Sequence, residues 1–369
     1  MRRETRTEER QPAKLALPDF APPLLAWYDQ NRRILPWREK PTPYRVWISE
    51  IMLQQTRVEA VRPYFERFLN TLPDLVSLAA ADPELLLKLW EGLGYYSRVR
   101  NLQKAAQQVV AGGATDLPAD YDALLRLPGV GSYTAGAVAS IAFGIPVPAV
   151  DGNVLRVASR LAASADNISL PATKKAVEAA IAARQPADRP GDYNQALMEL
   201  GATVCIPGGA PHCLVCPVRT LCAGYAQGVA GDLPVKDAKK PRRVERKTVF
   251  LLCCGDRIAV QKRPPTGLLA SLWEYPTADG ILTARQADAC VTDWGLQVVG
   301  IRRLRMAKHL FTHVEWDMLG YWVEVARPEA AFAWVEYRHL VADYAVPSAY
   351  AAYSEALCAG RSAREGEGD

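Results

Sequence analysis

The sequence predicts two unlike folding units, an all-α unit followed by a smaller α+β unit. Three observations carry that expectation. Apolar residues recur at helical spacing through residues 20–226, as in YRVWISEIML and AVEAAIAARQ, with proline or glycine between the runs. Residues 228–247, GVAGDLPVKDAKKPRRVERK, are basic, proline-containing and poor in aliphatics, the composition of a linker. Beyond them TVFLLCCGDRIAVQKRP sets short β-branched runs about a Gly-Asp turn, a hairpin signal. With 369 residues, each unit has enough chain to bury a core.

The divisions read as a flexible tail over 1–16, a helical unit over 17–226, a linker over 227–246, an α+β unit over 247–360 and a disordered tail over 361–369. MRRETRTEERQ carries both charges and no apolar run follows it, so no signal peptide is expected. No stretch is long and apolar enough to cross a membrane, so no membrane partner is expected. A net charge of +4 suits a polyanionic partner without requiring one.

The first informative segment is PYRVWISEIMLQQTRVEAVRPYF. Glu50 lies toward the end of a helix whose apolar stripe includes Val46, Trp47 and Leu53. A glutamate there is either a solvated charge or, among apolar neighbours, a carboxyl with a raised pKa. Thr56 to Glu59 fit a capping box that opens the next helix, which leaves Gln54 and Gln55 in the break.

Next comes LLRLPGVGSYTAGAVASIAFG, residues 124–144. A helix ends near Leu127, Pro128-Gly129-Val130-Gly131 makes a tight hairpin, and a second helix runs from Ser132 to Gly144. Glycines that turn amides outward, beside a helix N-terminus, bind phosphate without side-chain charge. Ala135, Gly136 and Ala139 keep one face small, so the two helices are expected to pack closely. Asp151, in PAVDGNVLRVASRL, is placed to cap the following helix. A cap can still present an oxygen to a cleft.

The helical unit closes with CIPGGAPHCLVCPVRTLC, residues 205–222, fed by the amphipathic helix YNQALMELGATVC. Cys205, Cys213, Cys216 and Cys222 are close enough in sequence to converge on one metal centre. Zinc would take all four, and an iron–sulfur cubane one per iron; spacing alone does not choose. The scattered Cys253, Cys254, Cys290 and Cys358 read as buried thiols.

Together the hairpin LPGVG, the aspartate in VDGN and the four ordered cysteines resemble the helix-hairpin-helix DNA glycosylases that carry an iron–sulfur cluster. That family includes endonuclease III and adenine glycosylases of the MutY type. The resemblance covers most of residues 20–226 and implies a [4Fe-4S] cluster on the four cysteines, with Gly129, Val130 and Gly131 on DNA. Endonuclease III relatives carry a lysine two residues after the hairpin, whose amine forms a Schiff base with the sugar. Here Tyr133 stands there, and a phenol forms no imine, so base removal without efficient strand cleavage is expected.

SEIMLQQTRV resembles the adenine glycosylase motif nearly letter for letter. The resemblance puts Glu50 in the place of the general acid that protonates adenine N7. Asp151 would then steady the oxocarbenium sugar by charge or by a transient bond. By the same resemblance Tyr133 and Asn153 hydrogen-bond Asp151, Arg33 and Trp37 of NRRILPW line the pocket, Gln55 is the wedge in the vacated stack, and Tyr95 inserts beside the opposite base.

Residues 247–360 resemble the MutT-like (Nudix-fold) domain by which these enzymes read 8-oxoguanine, through QKRPPTGLLASLWEYP and KHLFTHVEW. Phe311, Thr312 and His313 stand where the family often has Phe-Ser-His. The REx2E core of nucleotide-hydrolysing relatives is absent from RQADACVTDWGL, so no such hydrolysis is expected. The first cysteine gap is seven residues rather than the usual six, and IPGGAPH lacks the family's basic residues, which leaves phosphate contact to Arg219 or the linker.

The resemblance implies a monofunctional glycosylase that acts as a monomer on double-stranded DNA, excising adenine opposite 8-oxoguanine or guanine, in the cytoplasm at the nucleoid. Two other readings compete. One is a thymine or oxidised-pyrimidine glycosylase on the same scaffold. The other is a non-catalytic DNA-binding or iron–sulfur sensing protein, which would not need Glu50 and Asp151 together.

Overall fold

The computed structural model describes residues 15–238 and 241–365, with side chains to residue 360. The chain forms two compact units. One comprises the chain to Ala80 with Arg100–Ala238, the other Ala81–Val99 with the chain beyond Ala238.

In the helical unit the Glu50 helix, Pro43–Leu53, begins with Thr42 accepting from the Arg45 amide and with proline in its first turn. Tyr44, Val46, Trp47, Ile48, Ile51 and Met52 are all buried, so it is enclosed on nearly every side. The hairpin helix, Ser132–Phe143, packs against it and is equally apolar. A Cβ at Gly136 would lie 2.2 Å from the Pro148 carbonyl oxygen. Gly136 therefore seats the hairpin helix on the approach to Asp151, while the helix before the hairpin, Tyr121–Leu125, also packs against the hairpin helix as expected. The cap helix, Gly152–Leu161, packs against the helix Pro190–Thr203. They share a core with Phe20, Leu24 and Tyr28.

The expected capping box at Thr56 does not form. Gln55 adopts a left-handed φ of 58°. The chain turns so tightly there that the next helix, Val58–Thr71, starts after Arg57 with no side-chain cap. Thr56 Oγ1 instead faces the Gln54 carbonyl at 3.4 Å. The expected linker is also partly structural. Ala230 and Leu233 are buried, Arg160 Nε donates to the Leu233 carbonyl at 3.0 Å, and the Ile168 amide donates to Val235 at 2.9 Å. Two apolar side chains in a polar stretch suffice to dock it.

The α+β unit is built on a mixed sheet of β1 (Arg243–Cys254), β2 (Arg257–Lys262), β3 (Trp273–Glu274), β4 (Thr277–Asp279), β5 (Val298–Leu310), β6 (Val314–Val325) and β7 (Ala333–Glu336). The order is β3-β2-β1-β6-β5, with β4 added to β1 and β7 to β2. β1 and β6 run parallel in the centre. Strand alternation sends Val249, Leu251 and Cys253 into one core and Phe250 and Leu252 into another, which explains the unbroken apolar run VFLLCC. The helix Ala284–Asp293 opens with a Thr283–Gln286 capping box and contains no glutamate.

Cys253 is buried as expected, but Cys254 and Cys290 are half-buried and Cys358 is exposed. Cys358 follows Leu357, which with Tyr353 faces the sheet, so it points off the buried side of its helix. Of the expected N-terminal tail, Leu15 already packs on the core and residues 1–14 lie outside the described residues. The expected disordered C-terminal tail starts as helix, since Ala351–Glu365 is helical; residues 366–369 lie outside the described residues. Among the described residues, no helix is long and apolar enough to cross a membrane.

Candidate active site and cysteine loop

Glu50, Tyr133, Asp151, Asn153, Arg33 and Trp37 line one cavity of the helical unit. Four chain segments bring them there: residues 33–37, the Glu50 helix, the first turn of the hairpin helix, and the N-terminus of the cap helix. Gln54 Nε2 donates to Thr134 Oγ1 at 3.2 Å and ties the Glu50 helix to the hairpin helix. The Trp37 ring meets Phe65 edge-on at 5.4 Å, which fixes that wall.

Glu50 is buried. Burial pushes its carboxyl up to about 7, the Asp151 charge pushes the same way, and a hydrogen bond from Tyr133 works against both. The donor is Tyr133 Oη at 2.5 Å. Tyr133 was expected to support Asp151; it supports Glu50 instead, because the hairpin helix lies against the Glu50 helix.

Asp151 is the cap that the sequence suggests. It accepts from the Asn153 and Val154 amides at 2.9 and 2.8 Å, and from Asn153 Nδ2 at 2.7 Å. Burial raises its pKa, opposed by those hydrogen bonds and by Arg156. The cap engages both oxygens, yet the side chain keeps an edge toward the cavity.

Three further residues join the site. Glu199 holds Arg33 by a bidentate pair at 2.6 and 3.1 Å, and Arg38 at 2.8 Å. Burial disfavours the Glu199 charge, but the two guanidinium groups outweigh it and hold the carboxyl below the usual range. Arg156 Nη2 donates to Asn153 Oδ1 at 2.9 Å, which turns the Asn153 amide so that its NH2 faces Asp151. The same side chain donates through Nε to the Cys205 carbonyl at 2.9 Å. Sequence reading passed over all three. The one available signal was a single acid, Glu199, inside the apolar run ALMELGA.

Cys205, Cys213, Cys216 and Cys222 surround a second, apolar cavity with Val157, Leu200 and Val204. Burial pushes the Cys216 thiol up to about 11 and raises Cys213 and Cys222 as well. Arg160 Nη1 lies 3.3 Å from Cys205 Sγ. Among the described residues, no three such side chains close on a single-ion site. The cysteines thus enclose a space rather than a point. Arg219 is half-buried and reaches the Leu214 carbonyl at 3.5 Å.

The remaining predicted contacts lie away from the cavity. Gln55 is exposed on its left-handed turn. At the hairpin, Gly129 has φ 77° and a Cβ there would strike Asn101, while a Cβ at Gly131 would meet nothing within 4 Å. Val130 departs from expectation: its side chain is buried and its amide donates to the Leu127 carbonyl at 3.1 Å, so that amide does not face outward. In the α+β unit, Phe311, Thr312 and His313 form the turn between β5 and β6, with Thr312 and His313 exposed. Tyr95 belongs to the same unit and its Oη lies 2.9 Å from Thr312 Oγ1, while its neighbour Tyr96 is core.

The profile of the HhH-GPD superfamily base excision DNA repair proteins matches residues 48–185, and that of the NUDIX domain residues 248–356. An adenine DNA glycosylase of Arabidopsis thaliana is 39% identical over 306 residues, 72% of this chain and 48% of its own. One of Mus musculus is 36% identical over 355 residues, 80% of this chain and 68% of its own. This chain therefore spans about half the length of the first relative and about two thirds of the second. A solved thermostable thymine-DNA glycosylase aligns with TM-score 0.50 and 28% identity, over 56% of this chain and 95% of that one. The identity extends across both units, and on that ground the chain belongs to the adenine DNA glycosylase family.

Proposed function

We propose that this protein excises adenine paired with 8-oxoguanine or guanine in double-stranded DNA, and leaves the strand uncut. One observation carries the reading: two enclosed carboxyls, Glu50 and Asp151, line a single cavity, and one of them is held near pKa 7. Cleaving an N-glycosidic bond needs an acid for the departing base and a negative charge for the developing cation.

The adenine leaves the duplex first, at a cost of a few kcal/mol in stacking. Gln55, exposed on its turn, is suited to fill the gap. Glu50 then gives its proton to N7, so that the base departs neutral, and Tyr133 stabilises the carboxylate left behind. Asp151 faces the sugar. As positive charge grows there, its ionised form is favoured over the neutral form that burial prefers. Asn153, oriented by Arg156, keeps its oxygen in place. With a phenol rather than an amine at 133, no imine forms with the sugar; a water adds to its cationic carbon instead and releases a proton, which leaves an abasic site.

The four cysteines suit a [4Fe-4S] cluster, one thiolate per iron, in the enclosed apolar space they share. Bound iron would supply positive charge that keeps these thiols ionised despite burial. Its bearing on the reaction is structural: the loop it braces begins at Cys205, whose carbonyl holds Arg156 and through it Asn153 and Asp151. We assign recognition of the opposite base to Thr312, His313 and Tyr95, and place the protein on DNA in the cytoplasm, as a monomer.

The test uses duplexes with adenine opposite 8-oxoguanine, guanine or thymine, and oxidised thymine opposite adenine. Strand breaks are expected only after alkali, and only on the first two. Glu50→Gln should lower the rate by at least about a thousandfold. Activity unchanged in that variant sinks the acid assignment, and breaks without alkali sink the monofunctional one.

A further inference from the structure

The turn at residues 311–313 is held on several sides. The Phe311 amide donates to the Val314 carbonyl at 2.8 Å and closes it. The Phe311 ring packs edge-on against Trp316 at 4.9 Å and His309 at 4.6 Å. Trp316 is fixed in turn by Glu245, which accepts from its indole N–H at 2.9 Å. Those contacts anchor Phe311. Tyr95 Oη lies 2.9 Å from the Thr312 hydroxyl, which leaves the Phe311 and His313 carbonyls, the backbone on either side of Thr312, to be fixed by something else.

The end of the linker supplies it. Arg242, the residue before β1, donates through Nε to the Phe311 carbonyl at 2.7 Å. The next amide, Arg243, donates to the His313 carbonyl at 3.1 Å, and from there β1 and β6 run in parallel register. One side chain and one amide of the linker thus grip both flanks of Thr312, and only the side chain is open to mutation. A charge-assisted bond to a carbonyl is stronger than a neutral one and directional, so it sets the peptide plane from which the Thr312 hydroxyl projects.

We infer that Arg242 is a positioning residue for base discrimination: it orients the 311–313 turn so that Thr312 meets the opposite base, and does not itself contact DNA. This deepens the proposed function and rests on its assignment of lesion recognition to that turn. The alternative for a basic linker residue is a phosphate contact, which predicts different behaviour. A phosphate contact weakens all duplexes alike, is restored by lysine, and lowers the salt slope of binding by about one when removed. A positioning bond acts on one opposite base and needs the guanidinium geometry.

The experiment measures single-turnover excision and salt-dependent binding with the full chain, on adenine opposite 8-oxoguanine and opposite guanine. The proteins are the parent, Arg242→Ala and Arg242→Lys. The expected result is a loss of about tenfold in the 8-oxoguanine preference for Arg242→Ala, little recovery for Arg242→Lys, and an unchanged salt slope. Excision opposite guanine should change by less than about twofold, which also shows that the variants are folded. A preference retained in Arg242→Ala overturns the inference. So does an equal loss on both duplexes with a lower salt slope and rescue by lysine. If the parent itself shows no preference for 8-oxoguanine, the proposed lesion recognition fails, and the inference with it.

Discussion

The proposed mechanism needs an acid that holds its proton at neutral pH, and burial raises the Glu50 carboxyl against the pull of Tyr133. With its carboxyl near 7, the single-turnover rate should fall about tenfold per pH unit above that value, as the proton it donates is lost. Tyr133→Phe removes a bond to the ionised form, so the alkaline limb should move to higher pH while the maximal rate falls; a limb moving to lower pH would contradict the observed geometry. The same burial has a stability consequence. Glu50 shifts from 4.5 to about 7 on folding, so folding takes up a proton between those values. This carboxyl therefore costs stability that grows as pH rises from about 4.5 to about 7 and is constant beyond, roughly 3 kcal/mol in full. Glu50→Gln should melt above the parent at pH 8, with the gap closing toward pH 5, in thermal scans of both proteins. The burial and raised pKa of Glu50 were legible from its apolar neighbours. Its partner was not, because no spacing says that residues 50 and 133 meet.

At the scale of the element, Asp151 joins an observed cap to the charge role proposed for it, and substitution can separate the two. As a cap it is replaceable, since asparagine serves as well at a helix N-terminus. Asp151→Asn should keep the bonds from the Asn153 and Val154 amides and lose the one from Asn153 Nδ2, so it should destabilise less than alanine, while excision falls by a factor on the order of a thousand through loss of the charge. Asp151→Ala should lose excision and about 1 kcal/mol of stability as well. If asparagine destabilised as much as alanine, the cap would not be the reason for the fold at this point. The hairpin helix gives the inverse case. Glycine to alanine within a helix ordinarily stabilises by about 1 kcal/mol. At Gly136 the added carbon would collide with the Pro148 carbonyl, so Gly136→Ala should destabilise by about 1–3 kcal/mol, and should slow excision because that segment delivers Asp151. The sequence shows both helices and their small residues. It does not show which backbone the small face receives, since helical periodicity reports burial and not the neighbour. The same blindness explains Thr56: a capping pattern is local, and the left-handed turn at Gln55 overrode it.

For the whole molecule, the change from helical to alternating periodicity marks the two architectures in the sequence, but not the true division of the chain. Composition cuts a chain once, at the linker, whereas the structure assigns Ala81–Val99 to the α+β unit. The ties are specific. Glu84 accepts from the Trp273 indole at 2.8 Å and pairs with Lys262. The Val346 amide donates to Glu91 at 2.9 Å, Lys88 Nζ reaches the Tyr344 carbonyl at 3.1 Å, and Tyr95 meets Thr312. Nothing in PELLLKLWEGLGYY announces partners some 180 to 260 residues away, because each is a single polar atom at the end of a fold not yet formed. This arrangement makes a prediction that a simple two-domain reading does not. A chain ending at Ala238 should keep amide protection in Gly152–Leu161, whose core lies wholly within the helical unit. In residues 81–99 the same truncation should speed hydrogen exchange by at least about tenfold, because that segment opens locally once its partners are gone. It should also erase any preference for 8-oxoguanine over guanine opposite the adenine, with Thr312 removed and Tyr95 unsupported. Hydrogen exchange read by mass spectrometry checks the first effect and single-turnover excision the second. Equal protection of 81–99 in both chains would show that this segment is held by the helical unit alone.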